Sequence, residues 1–136
     1  MEHFLLIHGS WHGAWCWHKI APRLIAAGHS VSVPDLLGRG ANRRWSHLVS
    51  LNAMVRHIGG TLRPALTRLK LSADRYGAVP RAYIRLTEDR AVTPQLQDKC
   101  IEKVGVDRVE DIKASHSAYF SRPDVLTQTI LSICRS

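Results

Sequence analysis

The chain has 136 residues, 45% of them hydrophobic and 22% charged, with a formal net charge of +8. That is enough chain for one domain with a buried core, and no apolar run approaches the ~20 residues needed to span a bilayer, so no membrane association is expected. The positive charge gathers in Arg39, Arg43 and Arg44 and again across Arg63, Arg68, Lys70 and Arg75; without a nucleic-acid motif or interleaved aromatics it reads as a solvated face, and nucleic acid is not an expected partner.

Cysteine usage narrows the class further. Cys16, Cys100 and Cys134 are odd in number and widely spaced, which suits neither a disulfide framework nor a metal knuckle. None of the eight histidines forms H-E-x-x-H. No metal and no cofactor are expected. Glu2 stands where a secretory leader would be basic, so the expected compartment is cytoplasmic.

In chain order, residues 3–9 are a short apolar run ending in Gly9 and predict a buried parallel strand. Residues 15–27 place Trp15, Ile20, Leu24 and Ile25 at helical spacing, with Gly28 as a stop. Residues 29–34 alternate through Val31 and Val33 and predict a second strand ending at Pro34-Asp35, followed by a loop over 35–47. Ser50 caps an expected helix over 50–62. Residues 63–80 carry little pattern. A strand is expected over 81–87, a helix over 94–104 opened by Thr93-Pro94, a strand over 107–113 with Val109 and Ile112, and a final helix over 123–134 through Val125, Leu126, Ile130, Leu131 and Ile133. This alternation implies an α/β fold, a parallel sheet with helices on both faces and functional residues at the carboxyl ends of the strands. Gly9-Ser10, Asp35, Asp89 and His116 all fall just past a strand end.

Four segments together resemble the α/β-hydrolase family, and within it the methylesterase and hydroxynitrile-lyase branch. His8-Gly9-Ser10-Trp11-His12-Gly13-Ala14-Trp15-Cys16-Trp17 is similar to that branch's H-G-x-x-H-G-A-W-x-W signature. Asp35-Leu36-Leu37-Gly38-Arg39-Gly40 resembles its D-L-x-G-x-G, Thr87-Glu88-Asp89 its acid turn, and Ser115-His116-Ser117 its histidine loop. The resemblance covers about 1–62 and 71–136, with 63–70 as a join, and implies a single truncated domain. Against a family domain of ~250 residues, the central nucleophile elbow and lid are the part without a counterpart. Four strands would then form a shortened sheet in chain order 2-1-3-4, with homodimerisation through the exposed edge of the first strand as the competing arrangement.

The resemblance assigns Asp89 and His116 an acid–base role, the carboxylate orienting the imidazole. It makes Ser10, with His8, Gly9 and Trp11, an oxyanion and substrate-binding loop. It implies a small carboxylic ester as substrate. No G-x-S-x-G occurs anywhere in the chain, so the nucleophile is unassigned. Ser115 and Ser117 neighbour the histidine too closely in sequence to serve it. Cys16 reads as a core thiol, and Trp11, Trp15 and Trp17 as packing. Three readings follow: an esterase-type hydrolase that is weak or inactive alone, a non-catalytic binding or assembly module derived from one, or a lyase-like acid–base site built on His116.

Overall fold

The structure, a computed structural model, describes residues 1–43, 53, 56–58 and 78–135. The chain divides into two units, Met1–Leu71 and Ser72–Ser136.

In the first unit, strand β1 (His3–Leu5) pairs in parallel with β2 (Ser30–Ser32), with Phe4 opposite Val31. Both strands are shorter than the sequence pattern suggests. Leu6 adds one more bond to Ser32 and the chain then leaves the ladder. The expected helix over 15–27 is two pieces, a 3₁₀ turn at Ala14–Trp17 and helix α1 at Ala21–Ala26. Pro22 explains the break: it lacks an N–H and sits in the first turn of α1, where none is needed. Ile20 and Leu24, both 0% exposed, form the centre of this unit's core with Cys16 and Leu6. Ala53 and residues 56–58 are helical, within the helix expected over 50–62. Ser50, Arg44 and the basic cluster from Arg63 to Arg75 lie outside the described residues.

The second unit is a β-α-β crossover followed by two helices. Strand β3 (Ala82–Leu86) pairs in parallel with β4 (Arg108–Ile112), with Arg85 opposite Asp111 and Leu86 opposite Ile112. Between them runs α2 (Pro94–Val104), and after them α3 (Ala118–Ser121) and α4 (Pro123–Cys134). Helix α3 has no counterpart in the sequence pattern. Arg85 ties the three elements by donating to Asp111 on β4 and to Asp98 on α2, at 2.8 and 2.6 Å. The core holds Ile112, Ala114, Ala118, Leu126 and Leu131.

The buried faces of β4 and α4 are not made of apolar residues alone. Val109 is exposed, while Arg108, Glu110 and Ile112 share the other face of β4, because Val109 and Ile112 lie three apart and a strand alternates every two. Arg108 and Glu110 satisfy each other across 2.7 Å. On α4, Val125 is exposed and Thr127 is buried, its hydroxyl donating to the Pro123 carbonyl at 2.7 Å. The described pairings are 2-1 and 3-4; a 1-3 neighbour is not among them.

Candidate active site

The Ser72–Ser136 unit brings together the two residues expected to carry acid–base chemistry. Asp89 sits in the turn after β3, and His116 in the loop after β4, 27 positions away. His116 Nδ1 lies 2.8 Å from Asp89 Oδ2. An ionised carboxylate only accepts, so the imidazole proton on this side is on Nδ1. The second carboxylate oxygen, Oδ1, accepts the backbone N–H groups of Ala91 and Val92 at 2.8 and 3.0 Å. The Asp89 side chain is 3% exposed and that of His116 is 49% exposed. Burial alone would raise the Asp89 carboxyl; the bonds from His116, Val92 and Ala91 outweigh it and hold it below the usual carboxylate range. The result is a charge fixed on its buried side and an imidazole whose outer edge faces an open depression lined by Thr87, Arg90, Ser115 and Ser117.

Neither flanking serine is set up as a nucleophile. The Ser117 hydroxyl lies 3.2 Å from the Tyr119 hydroxyl. Ser115 adjoins His116 in the chain, and among the described residues no hydrogen bond joins its hydroxyl to the ring.

The Met1–Leu71 unit holds the other expected site residues. His8 is buried, and its ring is a structural tie: Nε2 accepts from the Leu36 N–H at 3.0 Å, while Nδ1 lies 3.0 Å from the Gly9 carbonyl. Gly9, Ser10 and Trp11 are exposed. The Ser10 carbonyl accepts from His12 Nδ1 at 2.8 Å, which fixes the peptide plane beyond Ser10. Among the described residues no hydrogen bond uses the Ser10 N–H. Trp11 has φ +67°, a left-handed conformation that costs a non-glycine residue on the order of 1 kcal/mol. Its ring is 87% exposed, with the Arg39 guanidinium 5.9 Å from the ring centre. Trp11 is therefore a surface residue and not the packing residue expected. Trp15 is also exposed. Cys16 is buried, and burial pushes its thiol up, the opposite of an activated nucleophile.

Asp35 is the residue whose part the sequence pattern understated. One carboxylate oxygen accepts from the Ala14 N–H at 2.7 Å and the other from the Ala41 N–H at 2.9 Å. These bonds hold its carboxyl below the ordinary range. The Asp35 carbonyl accepts from Asn42 Nδ2 and lies 2.8 Å from His57 Nε2. One aspartate thus joins the segment after Ser10 to the turn around Gly40. The available signal was the pair of motifs: each has a glycine, Gly13 and Gly40, against which this carboxylate packs.

Residues 4–66 match the Alpha/beta hydrolase family. The chain is similar to Methylesterase 9 of Arabidopsis thaliana, 52% identical over 42 residues, 31% of this chain and 16% of that protein. It is similar to Methyl jasmonate esterase 1 of Vitis vinifera, 49% identical over 52 residues, 38% of this chain and 20% of that protein. The chain thus resembles the α/β-hydrolase family over residues 4–66, and methylesterases over stretches of 42 to 52 residues. It matches a fifth or less of the length of these curated relatives. Superposed on the crystal structure of polyneuridine aldehyde esterase, this chain gives a TM-score of 0.85 at 20% identity, the match running over 98% of this chain and 99% of the other. The sequence likeness to the curated relatives is local and the structural likeness runs end to end; at that identity the latter shows the α/β-hydrolase fold alone. Among the described residues, no helix is long and apolar enough to cross a membrane.

Proposed function

We propose that this methylesterase-like chain keeps the acid–base half of a small-ester hydrolase without a serine elbow, and that alone it turns over esters weakly or not at all. The observation that carries the reading is the 2.8 Å contact of His116 Nδ1 with a buried Asp89 carboxylate. That contact orients the ring and stabilises the cation formed when the outer nitrogen takes a proton. Within the Met1–Leu71 unit, the exposed Ser10 N–H has no hydrogen-bond partner among the described residues, as an oxyanion donor requires. The small carboxylic ester is inferred from the relatives' names. The free thiols of Cys16, Cys100 and Cys134 support a reducing, cytoplasmic setting.

Losing a triad nucleophile costs ~10⁴–10⁶ in rate. The purified chain is accordingly expected to release p-nitrophenol from p-nitrophenyl acetate at the buffer rate, and to take up no fluorophosphonate label. Release more than about a hundredfold above that rate which His116→Ala abolishes, or labelling of any serine, would overturn the reading.

A further inference from the structure

One buried polar side chain in the second unit is not explained by the acid–base pair itself. Gln97 is 2% exposed. It occupies the inward row of α2 with Pro94 and Ile101, three and four positions away, where an apolar residue would ordinarily sit. Burying an amide is costly unless its donors and acceptor are used. Gln97 uses them all. Its Oε1 accepts from the Leu86 N–H at 2.9 Å. Its Nε2 donates to the Leu86 carbonyl at 2.9 Å and to the Val92 carbonyl at 2.8 Å.

The placement follows from strand geometry. Thr87 donates to Ile112 of β4, so the backbone groups of Leu86, one residue earlier, point away from that partner strand. The Gln97 amide meets both of them as a neighbouring strand would. Its third bond reaches Val92, whose own N–H is bonded to Asp89 Oδ1. Leu86 and Val92 bracket the acid turn, and the Asp89 N–H is itself bonded to the Leu86 carbonyl at 3.3 Å. One side chain therefore fixes both ends of the segment that aims Asp89 at His116.

We propose that Gln97 is a positioning residue: it acts through the 87–92 turn to hold the Asp89 carboxylate in register with His116. An aliphatic residue of equal volume would fill the space, leave the Leu86 N–H and the Val92 carbonyl without these partners, and leave the Leu86 carbonyl only the longer bond from Asp89. A glutamate would lose both donated bonds and add a buried charge next to two carbonyls. The proposal rests on the acid–base reading of Asp89 and His116, but its test reads the hydrogen bond rather than turnover, so it stands or falls apart from any esterase result.

The experiment compares the full chain with Gln97→Met and Leu131→Val by nuclear magnetic resonance. Gln97→Met keeps the volume and removes the bonds; Leu131→Val is a mild core truncation in α4. In the native chain a downfield His116 Nδ1–H resonance is expected. Gln97→Met should broaden or abolish it and speed exchange of the Ala91 and Val92 amide protons by about tenfold or more, the effect of losing buried hydrogen bonds. Leu131→Val should lower the melting temperature and leave both signals in place. A native resonance and native protection in Gln97→Met would overturn the proposal, as would equal loss of both signals in Leu131→Val. If Gln97→Met does not fold, the native chain decides: slowly exchanging, well-separated Gln97 side-chain amide protons support the bonds, and averaged, rapidly exchanging ones overturn them.

Discussion

The two units solve one problem with different side chains. Each ends a short parallel ladder in a loop that bears a candidate functional group, and each ties that loop to a neighbouring segment. In Met1–Leu71 the tie is the carboxylate of Asp35, which accepts N–H groups from Ala14 and Ala41. In Ser72–Ser136 it is the amide of Gln97, which both donates and accepts. The choice follows from what each loop leaves unsatisfied. The first presents donors only, and a carboxylate meets them. The second presents one donor and two acceptors, which no carboxylate can satisfy. The amide also brings no charge near Asp89, so the negative charge at that turn is committed to His116.

The comparison is broken most severely at Gly40. A Cβ there would fall on the Asp35 carboxylate, and the backbone is already at φ +48°. Gly40→Ala is expected to cost the first unit about 2–3 kcal/mol by chemical denaturation, combining backbone strain with loss of the Asp35 bonds. Gly13→Ala, whose Cβ would lie 2.9 Å from the same carboxylate, should cost about half as much, because Trp15 can shift. Equal and negligible effects would show that Asp35 is not the tie.

A gentler probe is acid. Asp35 and Asp89 both sit below their ordinary value of 3.8 in the folded chain. Between the folded and unfolded values the unfolded chain binds more protons. The stability these groups contribute is therefore complete above about pH 4 and is lost as pH falls through the folded values. Asp35→Asn should flatten the acid limb seen by resonances of the first unit, and Asp89→Asn that of the second. An unchanged limb in either variant would remove that carboxylate from the account.

These ties also explain what could be read from the residues. Helix α2 is found at its full length because Thr93-Pro94 opens it and Gly105 follows it, signals that act locally. The helix expected over 15–27 is broken by Pro22, a local signal that the helical spacing of Trp15, Ile20 and Leu24 masks. Val109 and Ile112 both mark the strand over 107–113, but three positions apart they lie on opposite faces, and only Ile112 is buried. Strand ends mark the Asp89 and His116 loops singly, but their pairing is legible only through the likeness to a family, since nothing in the periodicity joins positions 27 apart. Gln97 was invisible for a related reason. In a polar helix a glutamine looks like surface, while the exposed Leu96 beside it looks like core. Backbone groups that need partners leave no mark on a sequence until the chain has turned.

The two oxygens of Asp89 are not interchangeable. One is locked to Ala91 and Val92, the other faces His116. The carboxylate is thus a compass with a fixed needle, and an asparagine in its place inherits the direction. Its carbonyl must take the two backbone N–H groups, which turns its NH₂ toward the ring. His116 Nδ1 would then have to accept, and the ring proton would move to the outer nitrogen. Asp89→Asn should therefore exchange one tautomer for the other with little movement of the fold, a change that nitrogen chemical shifts of His116 would report directly.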